Sequence, residues 1–192
     1  MSAIALRPLR RNDGPKVESL FGAKGACGGC WCMYWRIERH GKAWQAVKGE
    51  PNRRALMALI AAGRVSAVLA FDGHTPIGWC CVGPKPSFSK LARSRNLQRP
   101  AAGSVWSIVC LYIPARQRRQ GLGTRLVEAA AALAFRRGAG EVEGYPVVPK
   151  PGRTVSPTFA WTGVPALFEA CGFDACPGRE GRRPIYRKAA GD

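Results

Sequence analysis

The sequence predicts one α/β domain over residues 1–192, built on a mixed sheet of the α+β kind flanked by helices. Three observations predict it. Residues 65–71 and 77–82 are β-prone runs on either side of Asp72-Gly73, a hairpin signal. Residues 105–113 (VWSIVCLYI) are the most β-prone and continuously apolar run of the chain, as a central strand buried on both faces requires. An Ala-rich helical run over 124–137 then leads to a strand over 141–148, and a right-handed crossover sets that strand parallel to 105–113 or splayed from it.

The remaining elements follow in chain order. Residues 4–9 alternate apolar and polar side chains and read as an edge strand, after which Asp13 is placed to cap a short helix. Residues 22–32 are too rich in glycine for a regular element, and 31–39 are aromatic and basic. Pro51 opens a helix to about Ala62, with Leu56, Leu59 and Ile60 on one face and Gly63 as its stop. The hairpin loop is expected to run through Pro76 and so to exceed two residues. Residues 84–103 read as a basic linker with a helix at 88–97, and 116–123 as a basic loop containing glycines. The helix 124–137 is closed by Gly138. After 141–148 come a long loop with Pro146, Pro149, Pro151 and Pro157, a short helix at 165–171, a Gly172-Phe173 turn and a terminal strand near 184–188. No internal repeat is present.

Composition narrows the class. The chain is 46% hydrophobic and 22% charged, ordinary values for a globular protein. No run of 18 apolar residues exists, so no membrane span is expected, and the N-terminus lacks the long apolar core of a signal peptide. A cytoplasmic protein is the default expectation. In a reducing compartment the eight cysteines read as buried thiols, metal ligands or reactive groups. The net charge of +18 is unevenly placed: residues 84–137 hold eleven Lys and Arg against Glu128 alone. Such a field attracts nucleic acid, acidic protein or a phosphate-rich cofactor, and it is equally the mark of an Arg-rich chain with solvated arginines.

The unit that carries chemistry is strand, loop and helix, with Arg118-x-x-Gly121-x-Gly123 at its core. Glycines at a helix start let backbone approach a ligand, and the free N–H groups of the first turn, with the helix dipole behind them, bind a pyrophosphate. Arg116, Arg118 and Arg119 add phosphate-matched charge. A Walker loop is excluded because no Gly-Lys-Ser/Thr follows. A dinucleotide fingerprint fits poorly: seven residues separate strand from glycines and its third glycine is Leu126, although Glu141 and Glu143 fall where a ribose-binding acid would. Glycines present for steric reasons alone would leave the three arginines unexplained.

This string resembles the acetyl-CoA motif of the GNAT superfamily of N-acetyltransferases, Arg/Gln-x-x-Gly-x-Gly/Ala after a long central strand. The order of elements is similar over most of the chain, down to Cys171-Gly172-Phe173 before the last strand. The segments Gly29-Cys30-Trp31-Cys32 and Gly78-Trp79-Cys80, with Val105-Trp106-Ser107 and Glu143-Gly144-Tyr145-Pro146, also resemble an uncharacterised branch of that superfamily. The resemblance implies a GNAT-like fold, a central mostly antiparallel sheet with a splayed parallel pair, and acetyl-CoA as cosubstrate. It implies that the backbone of Leu111, Tyr112 and Ile113 pairs with the pantetheine arm like an added strand. It further implies that the amides of Arg118, Arg119, Gln120, Gly121, Leu122 and Gly123 hold the pyrophosphate, and that an N–H near Leu111 polarises the thioester carbonyl. The family's usual Tyr before Gly-Phe and usual Glu early in the central strand correspond here to Phe168 and Ser107.

The catalytic candidates are therefore Glu143 and Tyr145, two apart and so on one face of a strand. Glu143 is either the base, with Tyr145 as acid or substrate contact, or simply the partner of one of the many arginines. Cys27-x-x-Cys30-x-Cys32 opens like a metal site, yet no second C-x-x-C exists and His40 is the nearest histidine, so no metal is expected. A catalytic thiol at Cys32, Cys80 or Cys110 lacks an evident Cys-His pair, and buried small hydrophobes fit these residues better. Trp31, Tyr34, Trp35 and Trp44 suit a pocket for a cationic or ring-bearing amine, or core packing. The expected function is acetyl transfer from acetyl-CoA to a small-molecule amine, by an enzyme that is a monomer or a homodimer. The alternatives are a nucleic-acid-associated protein acting through the 84–137 patch and a catalytically silent relative.

Overall fold

The computed structural model describes residues 3–38, 40–101, 103–150, 152–153, 155–156, 159–177 and 183–191. Its elements are β1 (Ala5–Pro8), α1 (Gly14–Phe21), α2 (Gly41–Gln45), α3 (Glu50–Ala61), β2 (Ala67–Asp72), β3 (Thr75–Pro84) and α4 (Ser89–Ala92) in the first half. The second half holds β4 (Val105–Tyr112), α5 (Leu122–Arg136), β5 (Glu141–Gly144), α6 (Pro165–Glu169), β6 (Asp174–Ala175) and β7 (Tyr186–Ala189). The strands form one sheet in the order β1-β2-β3-β4-β5-β7-β6. Only β4 and β5 run parallel, because α5 is the crossover between them.

The sheet separates two apolar layers. On one face Val68, Cys80, Val82, Trp106, Ile108 and Val142 pack against Leu122, Leu126 and Ala130 of α5 and Phe168 of α6. On the other, Leu69, Phe71, Trp79, Cys81 and Tyr145 pack against Val17 and Phe21 of α1, Leu56 and Ile60 of α3, and Trp31 and Trp35. Burial on both faces is why β4 reads as apolar throughout. Its pairing with β3 slips by one residue: Cys110 faces Cys81 while Ile108 faces Val82, leaving Val109 as a β-bulge. Val109 and Cys110 consequently lie on the same face, and the chain beyond them is turned relative to the first half of β4.

Several local expectations are revised. Asp72 pairs with Thr75, so the hairpin turn is the two residues Gly73-His74 and not a longer loop. Pro76 is tolerated inside β3 because β4 reaches only as far as Trp79, leaving no neighbour there that needs its N–H. Asp13 stands at the N-cap of α1 without capping it. Its carboxylate instead accepts two hydrogen bonds from the Arg7 guanidinium (2.6 and 2.8 Å), one from the Arg10 N–H (2.8 Å) and one from Lys16 (3.1 Å). The helix expected at 88–97 is only the single turn of α4 between two 3-10 turns. The strand expected over 141–148 ends at Gly144. The short β6 and α2 were not foreseen. Pro151 and Pro157 of the expected loop lie outside the described residues.

Asp13 supplies a direct check on the packing of α1 against β1. The hydrogen bonds from Arg7, ahead of all other effects, hold its carboxyl well below the ordinary carboxylate range. A depressed acid stabilises the fold above its unfolded pKa, near 4, and loses that contribution as pH falls through the folded value. Asp13→Asn is expected to lose about 3 kcal/mol at pH 7, with the gap to wild type closing as pH drops below about 4, measured by urea unfolding across pH.

Candidate functional site

The site begins where β4 and β5 part. The strands pair from Val105 with Glu141 to Ile108 with Gly144, and there β5 stops while β4 continues to Tyr112. At the last paired residue of β5 the Phe168 ring lies so close that a Cβ on Gly144 would come within 3 Å of three ring carbons. The ring therefore occupies the space that any side chain at position 144 would need. The edge of β4 beyond Ile108 faces the open side, and its Leu111 N–H donates to the carbonyl oxygen of Trp161 at 2.7 Å. Across the fork, the Val147 N–H donates to the Gly163 carbonyl at 3.0 Å.

At the foot of this edge the chain passes a 3-10 turn at 115–117 and enters α5. Gly121 is the N-cap with φ of 73°, a left-handed conformation that glycine adopts without strain. Arg119 takes φ of 62° without that freedom. The first helical bond runs from the Arg125 N–H to the Gly121 carbonyl (3.3 Å), so the amides of Leu122, Gly123 and Thr124 precede it. Among the described residues, those of Arg119, Gln120 and Gly121 have no hydrogen-bond acceptor. Two side chains shape the loop. Arg118 Nε donates back to the Ile113 carbonyl (2.7 Å), and Gln120 donates to the Arg116 carbonyl (3.2 Å). A row of outward amides at the positive end of a 15-residue helix is an anion cradle.

Glu143 and Tyr145 do meet. The Tyr145 hydroxyl donates to Glu143 Oε2 at 2.6 Å, and Ser107 Oγ lies 2.8 Å from the same hydroxyl. Since the tyrosine's one proton goes to the carboxylate, Ser107 is the donor to Tyr145. Lys85 Nζ donates to Glu143 Oε2 (2.8 Å) and to the Leu97 carbonyl (2.7 Å). Arg99 Nε sits 2.7 Å from Glu143 Oε1, in ion-pair contact but without the alignment of a hydrogen bond, and the same guanidinium pairs with Glu141. Glu143, Tyr145 and Ser107 are each fully buried. Burial, then the Glu143 charge, pushes the Tyr145 hydroxyl well above the ordinary phenol value. Arg99 is thus an arginine partner of the kind expected for Glu143, while Lys85 is a partner that no sequence signal marked.

The aromatics of residues 34–44 gather around Trp161. Tyr34 touches Trp35, Trp44 and Trp161 edge-on, with centroids 5.0–5.5 Å apart, and Trp35 lies 5.8 Å from Trp161. Lys90 stands over Tyr34 at 3.9 Å and Arg183 over Trp161 at 5.4 Å. Trp31 lies deeper, against Phe21. The eight cysteines are all thiols. Cys32 contacts Cys110 and Cys81, and its hydrogen bond with Cys110, then burial, pushes it well above the ordinary thiol value. Burial does the same to Cys80. At Cys110 the hydrogen bond from Cys32 favours the thiolate, yet burial still leaves it raised. None is poised as a nucleophilic thiolate. Among the described residues, no three His, Cys, Asp or Glu side chains converge as a metal site, and no helix is long and apolar enough to cross a membrane. The 84–137 basic stretch is not one surface: Lys85 and Arg99 turn inward to Glu143, Lys90 packs on Tyr34, and Arg118 folds back on its own loop.

Comparison with known proteins supports the same unit. A family model described as acetyltransferase (GNAT) family matches residues 32–145. No curated protein matches the sequence. A mosquito arylalkylamine N-acetyltransferase-like 5b structure is similar over 98% of this chain and 100% of that one, with 14% identity and a TM-score of 0.58. The PaiA N-acetyltransferase of Thermoplasma acidophilum, in complex with coenzyme A, is similar over 98% and 99%, with 16% identity and a TM-score of 0.55. A ribosomal-protein-S5-alanine acetyltransferase of Vibrio fischeri is similar over 100% and 96%, with 11% identity and a TM-score of 0.54. At these identities the structures share the fold.

The fork makes its own claim about sequence. Gly144→Ala is expected to cost about 1–3 kcal/mol by overpacking, and Phe168→Leu in the same chain is expected to recover part of it. Chemical denaturation of the single and double variants checks this, and additive losses would contradict the contact.

Proposed function

Because the chain belongs to the acetyltransferase (GNAT) family, whose acetyl donor is acetyl-CoA, we propose that it is an N-acetyltransferase acting on the amine of a small molecule. The observation that carries this reading is the fork itself. The Leu111 N–H holds a carbonyl oxygen at 2.7 Å, above the open amides at the start of α5. A carbonyl oxygen seated on this N–H supports the reading of Leu111 as the donor to the thioester oxygen.

Acetyl-CoA supplies the activated acetyl group. In our reading the backbone of Leu111, Tyr112 and Ile113 binds its pantetheine arm, and the amides of Arg118, Arg119, Gln120, Gly121, Leu122 and Gly123 bind its pyrophosphate. The Arg118 N–H is held by the Ala115 carbonyl (3.3 Å) in this structure, and its side chain braces the loop on Ile113. Tyr34, Trp35 and Trp44 bind the acceptor, since clustered aromatic rings suit a cationic or ring-bearing amine. An amine must lose a proton in the course of acetylation, and Glu143 is the base that receives it, by way of the Tyr145 hydroxyl. The high pKa of Tyr145 keeps it protonated and able to pass one proton as it accepts another.

One observation favours a second reading of Glu143: Lys85 and Arg99 already neutralise it. If its part is to anchor the fork, removing the charge leaves the buried Lys85 without a counter-ion while Arg99 keeps Glu141, which costs about 3 kcal/mol, and the turnover of the folded fraction is unchanged.

Acetyl-CoA with a panel of primary amines, assayed by release of free thiol, tests the function; no amine accelerating release would contradict it. Glu143→Gln and Tyr145→Phe are expected to lower kcat by roughly 10²-fold or more with acetyl-CoA affinity intact. Lost stability with unchanged kcat would assign Glu143 to the anchor instead.

A further inference from the structure

Trp161 and Thr162 form a turn in the fork, closed by the Gly163 N–H on the Ala160 carbonyl (2.8 Å), and the carbonyls of Trp161 and Gly163 accept from Leu111 of β4 on one side and Val147 on the other. We infer that this segment is a built-in occupant of the pantetheine groove, a strap that acetyl-CoA must displace, so that donor binding and release of the strap are coupled. The inference rests on the reading of Leu111–Ile113 as the pantetheine edge.

The argument is one of exclusive partners. Leu111 has one N–H, and a hydrogen bond of 2.7 Å to Trp161 leaves no place for a ligand carbonyl on that donor. The strap is also specifically seated. Thr162 is fully buried, and its hydroxyl accepts a hydrogen bond from Arg183 Nη1 at 3.0 Å. Trp161 packs edge-on to Tyr34 at 5.3 Å, and Arg183 lies over its ring. Gly163 takes φ of 83°, and a Cβ there would meet the Phe168 ring at 2.8 Å, so the strap fits beside the wedge only as glycine. Preceding the strap, the Phe159 side chain is 67% exposed. Segments of this kind open at low free energy without unfolding the rest.

Displacement has a consequence for the acceptor. The Trp161 ring covers Tyr34 and Trp35, the rings assigned to the amine. Release of the strap on donor binding uncovers them, so acetyl-CoA binds first and the amine second. The apparent affinity for the donor is reduced by the fraction of molecules with the strap already open.

Coenzyme A titrated by calorimetry into wild type, Trp161→Ala and Arg183→Ala, with hydrogen exchange at the Val147 amide of the wild type, tests the coupling. The two variants loosen the strap without touching Leu111 and are expected to bind coenzyme A roughly 3- to 30-fold more tightly. Saturating coenzyme A is expected to speed exchange at Val147, which loses its Gly163 acceptor, at least about tenfold. Wild-type binding with no tightening in either variant, or with Val147 unchanged or slowed, overturns the strap and leaves the acetyl-CoA reading standing. No binding by any of the three proteins overturns both.

Discussion

The contact between Phe168 and Gly144 marks the point from which the rest of the site is built. A ring is pressed onto a residue with no side chain where the four-residue pairing of β5 with β4 ends. Everything proposed for the cofactor lies beyond that point: the free edge of β4, the Leu111 N–H and the gap in which Trp161–Gly163 is seated. The same ring limits Gly163, so one aromatic side chain requires glycine both at the end of β5 and in the segment seated in the gap. In the resembling family a tyrosine stands at this place. Here the hydroxyl is missing, and the position serves geometry.

Polar chemistry has moved to the opposite face. Ser107, Tyr145 and Glu143 form a directed chain of hydrogen bonds ending on a carboxylate held by two cations. A buried carboxylate is costly without such partners. Lys85 comes from the turn after β3 and Arg99 from the segment before β4, so the network ties that connection to β5. It lies where the strands are still paired, next to the fork, and is placed to hold the fork's base rigid while the groove above it opens.

Much of the fold was legible in the sequence because its signals are local. The Asp72-Gly73 reversal, the apolar run of β4, the Ala-rich α5 and the glycines before it each declare themselves within a few residues. The two-residue spacing of Glu143 and Tyr145 put them on one face, where hydroxyl and carboxylate meet. What stayed hidden is non-local or uniform. The bulge at Val109 is invisible in a run that is apolar on both faces, since a slip of one residue changes no pattern there. Lys85 is 58 residues from Glu143, and nothing marks it among 30 Lys and Arg as a cation that turns inward. The strap sits in a loop whose Trp161-Thr162-Gly163 carries no periodicity at all. Asp13 misled for a related reason: a residue at an N-cap looks like a cap, and only the fold brings Arg7 to it.

The central claim is that this fork and the start of α5 bind acetyl-CoA. Gly121 tests it with little disturbance to packing, because no heavy atom lies within 4 Å of where its Cβ would be. Gly121→Glu sets a strained left-handed φ and a negative charge at the amides assigned to the pyrophosphate. Calorimetric titration with acetyl-CoA is expected to show saturable one-to-one binding by the wild type and its loss in the folded Gly121→Glu variant. No saturable binding by the wild type, or equal binding by the variant, would contradict the account.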